Sequence, residues 1–106
     1  MALSMDREII SKVSINEKGE LLLALSSGGK AMYQHIYREA AGVYWDQENH
    51  GFKSTPINDW SCAKWFFQIV SVAKSGLGIE LVLSANIIWQ DIPEKDITEI
   101  VQNHAI

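Results

Sequence analysis

The segment from Asn58 to Ser75, NDWSCAKWFFQIVSVAKS, carries polar side chains on one narrow stripe only. Ser61, Lys64, Gln68, Ser71 and Ser75 recur at spacings of three and four, and the intervening aromatic and aliphatic residues fill the rest of the circumference. That spacing predicts a long helix covered on several sides. Asn58 or Asp59 supplies a side-chain cap at its start, and Gly76 and Gly78 end it. Upstream, Glu8 to Ile15 alternates, and Glu20 to Leu25 is apolar on both faces, as in a central strand. The intervening Asn16-Glu17-Lys18-Gly19 predicts a hairpin turn. After the breaker Ser26-Ser27-Gly28-Gly29, Met32, Tyr33, Ile36, Tyr37 and Ala40 make an apolar helical face that Gly42 stops. Val43 to Trp45 and Phe52 to Ser54 predict a second hairpin around a polar tip. Ile79 to Leu83 has strand composition, Asn86 to Trp89 adds a strand or a tight return, and Pro93 opens a last helix with Ile97, Ile100 and Val101 inward. The order is ββαββαβ(β)α, which predicts an α+β fold with a mainly antiparallel sheet, a long central apolar helix and two shorter helices.

The chain has 106 residues, enough for one core, so residues 1–106 read as a single compact domain with 1–7 as a flexible lead. A formal charge of -4, with nine scattered lysines and arginines, disfavours nucleic acid as a partner. One cysteine, Cys62, excludes an intramolecular disulfide. The opening MALSMDREII lacks the apolar run of a signal peptide, and no apolar stretch reaches the roughly 20 residues that span a bilayer. These features predict a cytoplasmic protein with no membrane partner.

Cys62 is the sharpest catalytic candidate. In the first turn of a helix its thiolate gains from the helix dipole, and His35 or His50 could complete an acid-base pair for a small cysteine-dependent hydrolase or transferase. Trp60-Ser61-Cys62-Ala63 resembles the nucleophile region of papain-like and peptidoglycan-cleaving cysteine peptidases, but strand Ile79 to Leu83 carries no histidine and His104 sits near a terminus that should fray. A free cysteine among aromatic neighbours reads equally as a small buried hydrophobe, the reading favoured here. Asp46, Glu48 and His50 alternate and could offer ligands to a metal, although a hairpin tip is polar in any case. No zinc spacing and no phosphate-binding glycine loop is present, so no cofactor is expected. Tyr37, Arg38, Trp45 and Trp89 are the candidates for a ligand or interface surface, with Trp45 the aromatic most expected to leave the core because it borders the polar loop.

The string Tyr37-Arg38-Glu39-Ala40-Ala41-Gly42-Val43-Tyr44-Trp45-Asp46, with Trp65-Phe66 and Gly78-Ile79-Glu80-Leu81, resembles small bacterial proteins of unknown function encoded on mobile integron gene cassettes. The resemblance runs from about Tyr33 to Pro93. It implies a bacterial accessory protein, often oligomeric, with no functional residues to carry over. Together these readings point to a non-enzymatic binding or interaction protein, a homodimer with a protein or small-molecule partner. A small-molecule-binding domain with an aromatic pocket is the further alternative.

Overall fold

A computed structural model describes residues 6–39, 42–56 and 60–104, without the side chains of 37–39. Strands β1 (Asp6–Ile15), β2 (Glu20–Leu25), β3 (Val43–Asp46), β4 (Gly51–Pro56) and β5 (Ile79–Gln90) form one sheet in the order β3-β4-β2-β1-β5. Helices α1 (Cys62–Leu77) and α2 (Glu94–Asn103) and a 3-10 helix (Ala31–Glu39) complete an α+β fold. Both hairpins form as the sequence predicts, β1 with β2 and β3 with β4. The sheet is mixed, because β5 runs parallel to β1 while the other pairings are antiparallel. After β4 the chain crosses the sheet as α1 and returns beyond β1, and a crossover of this kind brings strands in parallel.

Two further details depart from the sequence reading. Ile79 to Gln90 is one strand rather than a strand and a separate return. Its register against β1 jumps from Ile10↔Leu83 to Lys12↔Ile88, so Ser84 to Ile87 bulge away from the sheet opposite Ser11. The first helix is a 3-10 helix, whose three residues per turn stack Tyr33 over Ile36. Both are buried, while Met32, expected inside on an α-helical period, is 50% exposed.

Ser61 caps α1: its Oγ accepts from the Lys64 amide at 3.1 Å. The helix therefore starts at Cys62; the expected caps Asn58 and Asp59 lie outside the described residues, as do residues 1–5 of the expected lead. It runs through Gly76 and stops at Gly78, whose left-handed φ of 67° lets its amide reach the Ala73 and Lys74 carbonyls. Ala63, Trp65, Phe66, Ile69, Val72 and Ala73 face the sheet and the other helices, and Ser61, Lys64, Ser71 and Ser75 are exposed. The polar stripe thus lies on the wet side. Phe66 alone, fully buried, contributes about 1.5–3 kcal/mol of hydrophobic stabilisation.

All helices pack on one face of the sheet. The other face carries Ile9, Leu22, Ala24, Tyr44, Val82 and Ile88 among Arg7, Lys12, Lys53 and Glu80, with no second layer over it among the described residues.

Candidate functional site

A shallow groove of about 820 Å³ runs between the β1–β2 turn and the β3–β4 loop, which lie at opposite ends of β2. Its walls are the β1–β2 turn, the β3–β4 loop and the end of β5. The β1–β2 turn is fixed by Asn16, whose Oδ1 accepts the Lys18 and Glu20 amides at 2.9 and 3.0 Å. Gly19 supplies the positive φ that this turn needs. Asn16 Nδ2 also donates to Glu20 Oε1 at 2.8 Å, and Lys53 Nζ lies 3.6 Å from the same oxygen. In the opposite wall the Asp46 carboxylate accepts the amides of Glu48 and Asn49 and the Asn49 side chain, at 3.1, 3.2 and 2.9 Å. Burial alone would push its pKa up; the Asn49 and Glu48 hydrogen bonds and the Lys53 charge outweigh burial and hold it below the usual carboxylate range.

Trp45 joins the groove to the core. Its ring meets Phe52 and Tyr33 edge-on, at centroid distances of 5.0 and 5.5 Å, while its Nε1 donates to Gln47 Oε1 at 2.8 Å in the groove wall. Five carboxylates, Glu17, Glu20, Asp46, Glu48 and Asp91, line the groove against two lysines, Lys18 and Lys53. Its field is therefore negative, and its chemistry is that of hydrogen bonding to carboxylates and amides beside an aromatic edge.

The other candidates are dispersed. Trp89 pairs with Val13 on the core face and is half-buried. Within the β3 alternation Trp45 turns inward and Tyr44 outward, so among the described residues Tyr44, 42% exposed, is the aromatic that leaves the core. The side chains of Tyr37 and Arg38 lie outside those described. Cys62 is buried, and its thiol is pushed up first by burial and then by the negative charge of Asp96, so the group whose charge reaches it opposes a thiolate. His35 is exposed on the 3-10 helix, and His50, also exposed, sits beside Gly28 in the β3–β4 loop. Asp46, Glu48 and His50 share that loop, where the Asp46 oxygens are taken by turn amides; among the described residues no three acidic, histidine or cysteine side chains gather as a metal site. His104, expected to fray, instead bonds the Leu81 carbonyl through Nε2 at 2.6 Å and packs edge-on against Phe66.

One cluster had no counterpart in the sequence reading. Glu8, only 6% exposed, accepts hydrogen bonds from Tyr33 Oη at 2.5 Å and Ser27 Oγ at 2.6 Å. The signal available was a tyrosine on the buried side of a helix, whose hydroxyl must find a partner.

No helix among the described residues is long and apolar enough to cross a membrane. No curated protein matches the chain. Among solved structures, the integron cassette protein Hfx_Cass5 from the mobile metagenome of North West Arm Sewage Outfall is similar at 29% identity, over 93% of this chain and 96% of that one, with a TM-score of 0.44. The family model for integron cassette protein Hfx_Cass5 matches residues 9–87, most of the sheet together with α1, and the chain therefore belongs to the Hfx_Cass5 integron cassette protein family.

Proposed function

We propose that this chain is a small non-enzymatic binding protein of the mobile-element accessory kind, working in the cytoplasm. Its binding site is the groove beside Trp45. The observation that carries the reading is the convergence there of an indole edge, amide side chains and an excess of carboxylates on two turns held by their own hydrogen bonds. A concave surface already built and polar suits a hydrogen-bonding cationic partner, a small amine or a basic segment of another protein. The buried, upward-shifted thiol of Cys62 weighs against the alternative of a cysteine-dependent hydrolase or transferase. Thermal melting in millimolar spermidine tests the site: a rise in Tm that is lost in Trp45→Ala and in a Glu17→Gln/Glu48→Gln/Asp91→Asn variant supports it. Equal shifts in wild type and variants would sink it.

The second part of the proposal is a homodimer through the uncovered sheet face, where Ile9, Tyr44 and Ile88 are 45%, 42% and 57% exposed. Apolar side chains concentrated on one face of an otherwise charged surface are what a dimer interface buries. Size-exclusion chromatography with light scattering checks it. A monomer at micromolar concentration overturns this half of the proposal and leaves the groove untouched.

A further inference from the structure

Glu8 on β1 is a buried carboxylate that pairs with no cation among the described residues; two hydroxyls bond its oxygens. Burying an ion costs free energy unless its oxygens are well bonded, so what those hydroxyls hold in return is the informative question. They begin two arms that end on the same ring. In the first, Ser27 Oγ donates to Glu8 Oε1 at 2.6 Å and accepts the Gly29 amide at 3.0 Å. Gly29 has φ +79° and lies so close under Trp45 that an added Cβ would fall 2.2 Å from the indole Cη2. In the second, Tyr33 Oη donates to Glu8 Oε2 at 2.5 Å, and the Tyr33 ring meets the Trp45 ring edge-on at 5.5 Å. The Nε1 of that indole donates to Gln47 in the groove wall.

We infer that Glu8 is a positioning residue for Trp45: through Ser27–Gly29 and through Tyr33 it forms a bracket that holds the indole and sets the wall of the groove. The bracket spans elements distant in sequence, β1, the Ser26–Lys30 loop, the 3-10 helix and β3, which explains why a charged side chain is kept inside the core. The burial of Tyr33 and the adjacent Glu8 charge hold the phenol protonated, and therefore donating, well above neutral pH. The inference bears on the proposed binding site only through Trp45; its test needs no ligand, so failure of the binding reading would not remove it.

The test is ¹⁵N–¹H NMR of the whole chain, with the four indole signals assigned by Trp45→Phe and by the matching changes at Trp60, Trp65 and Trp89. In Ser27→Ala the Gly29 amide should exchange with solvent at least tenfold faster. In Glu8→Gln, which keeps one acceptor oxygen, the Trp45 indole signal should shift or broaden while those of Trp60, Trp65 and Trp89 hold, and Glu8→Leu should enlarge the effect. Because Glu8→Leu risks misfolding, the milder two variants decide. A Trp45 signal unmoved in both overturns the inference, and so does an equal displacement of all four indoles, which would make Glu8 a general core element.

Discussion

The Trp45 indole occupies the space that a side chain at Gly29 would need: an ideal Cβ there lies 2.2 Å from Cη2 and 2.5 Å from Cζ2. Gly19 has nearly the same φ, +78° against +79°, but an ideal Cβ there meets nothing within 4 Å. The two glycines therefore separate backbone strain from steric contact. Gly19→Ala should cost about 1–2 kcal/mol, the penalty of a left-handed alanine. Gly29→Ala should cost that plus displacement of Trp45, about 3–4 kcal/mol in all. Urea unfolding of both variants measures the difference. Equal costs would mean that the indole moves aside freely.

Cys62 should be inert in the folded protein. Burial and the Asp96 charge both push its thiol up, and the thiolate is the reactive form. Ellman's reagent at pH 7.5 should leave it unmodified over the time in which the urea-unfolded chain reacts to completion. Prompt stoichiometric labelling of the native protein would restore the cysteine-dependent enzyme reading. Asp96→Asn removes the smaller of the two upward effects and should leave the thiol still slow.

Stability should fall in alkali in a way that Tyr33 sets. Its folded pKa is raised, first by burial and then by the Glu8 hydrogen bond and charge, while an unfolded tyrosine titrates near ~10. Its contribution is thus complete below about pH 10 and is lost above it, as the unfolded chain releases a proton the folded chain retains, by up to about 1.4 kcal/mol per pH unit. Cys62 adds a loss of the same sign that starts lower, above about pH 8.5, where an unfolded thiol titrates. Tyr33→Phe should flatten the stability profile above pH 10, and Cys62→Ala should flatten it between about 8.5 and 10. A profile with identical slope in wild type and Tyr33→Phe would contradict the raised phenol.

Local pattern made the hairpins and α1 legible, because each is encoded within its own residues: Asn16 to Gly19 for one turn, the polar stripe Ser61 to Ser75 for the helix. What the pattern did not carry was non-local. No periodicity announces that β5 pairs with β1 in parallel, since Ile79 to Leu83 reads the same beside either sheet edge. The choice between α and 3-10 geometry at Tyr33 and Ile36 turns on packing beneath them, and the two periods differ by little over so few residues. Trp45 stood out as a candidate from its place beside a polar loop, but its neighbours Gly29 and Tyr33, and Glu8 behind them, come from three other elements. Hydroxyl-satisfied carboxylates leave no spacing signature, so Glu8 read as one more polar position on an alternating strand.

His104 shows the same limit, and yields the last prediction. Placed after the final turn of α2, it looked like part of a loose end, yet its Nε2 lies 2.6 Å from the Leu81 carbonyl and its ring packs 5.2 Å from Phe66. A carbonyl only accepts, so the ring must carry its proton on Nε2. The contact pins the end of α2 to β5, an edge strand whose outer backbone groups would otherwise lack partners. His104→Phe retains an aromatic ring against Phe66 but removes the donor, and should cost about 1 kcal/mol; His104→Ala removes both and should cost about 2. Hydrogen exchange locates the effect. Amides of α2 should open tenfold faster in His104→Ala, while those of the β1–β2 hairpin keep their protection until global unfolding. If α2 exchanges no faster, the helix is held by Ile100 in the core and the histidine merely rests on the strand.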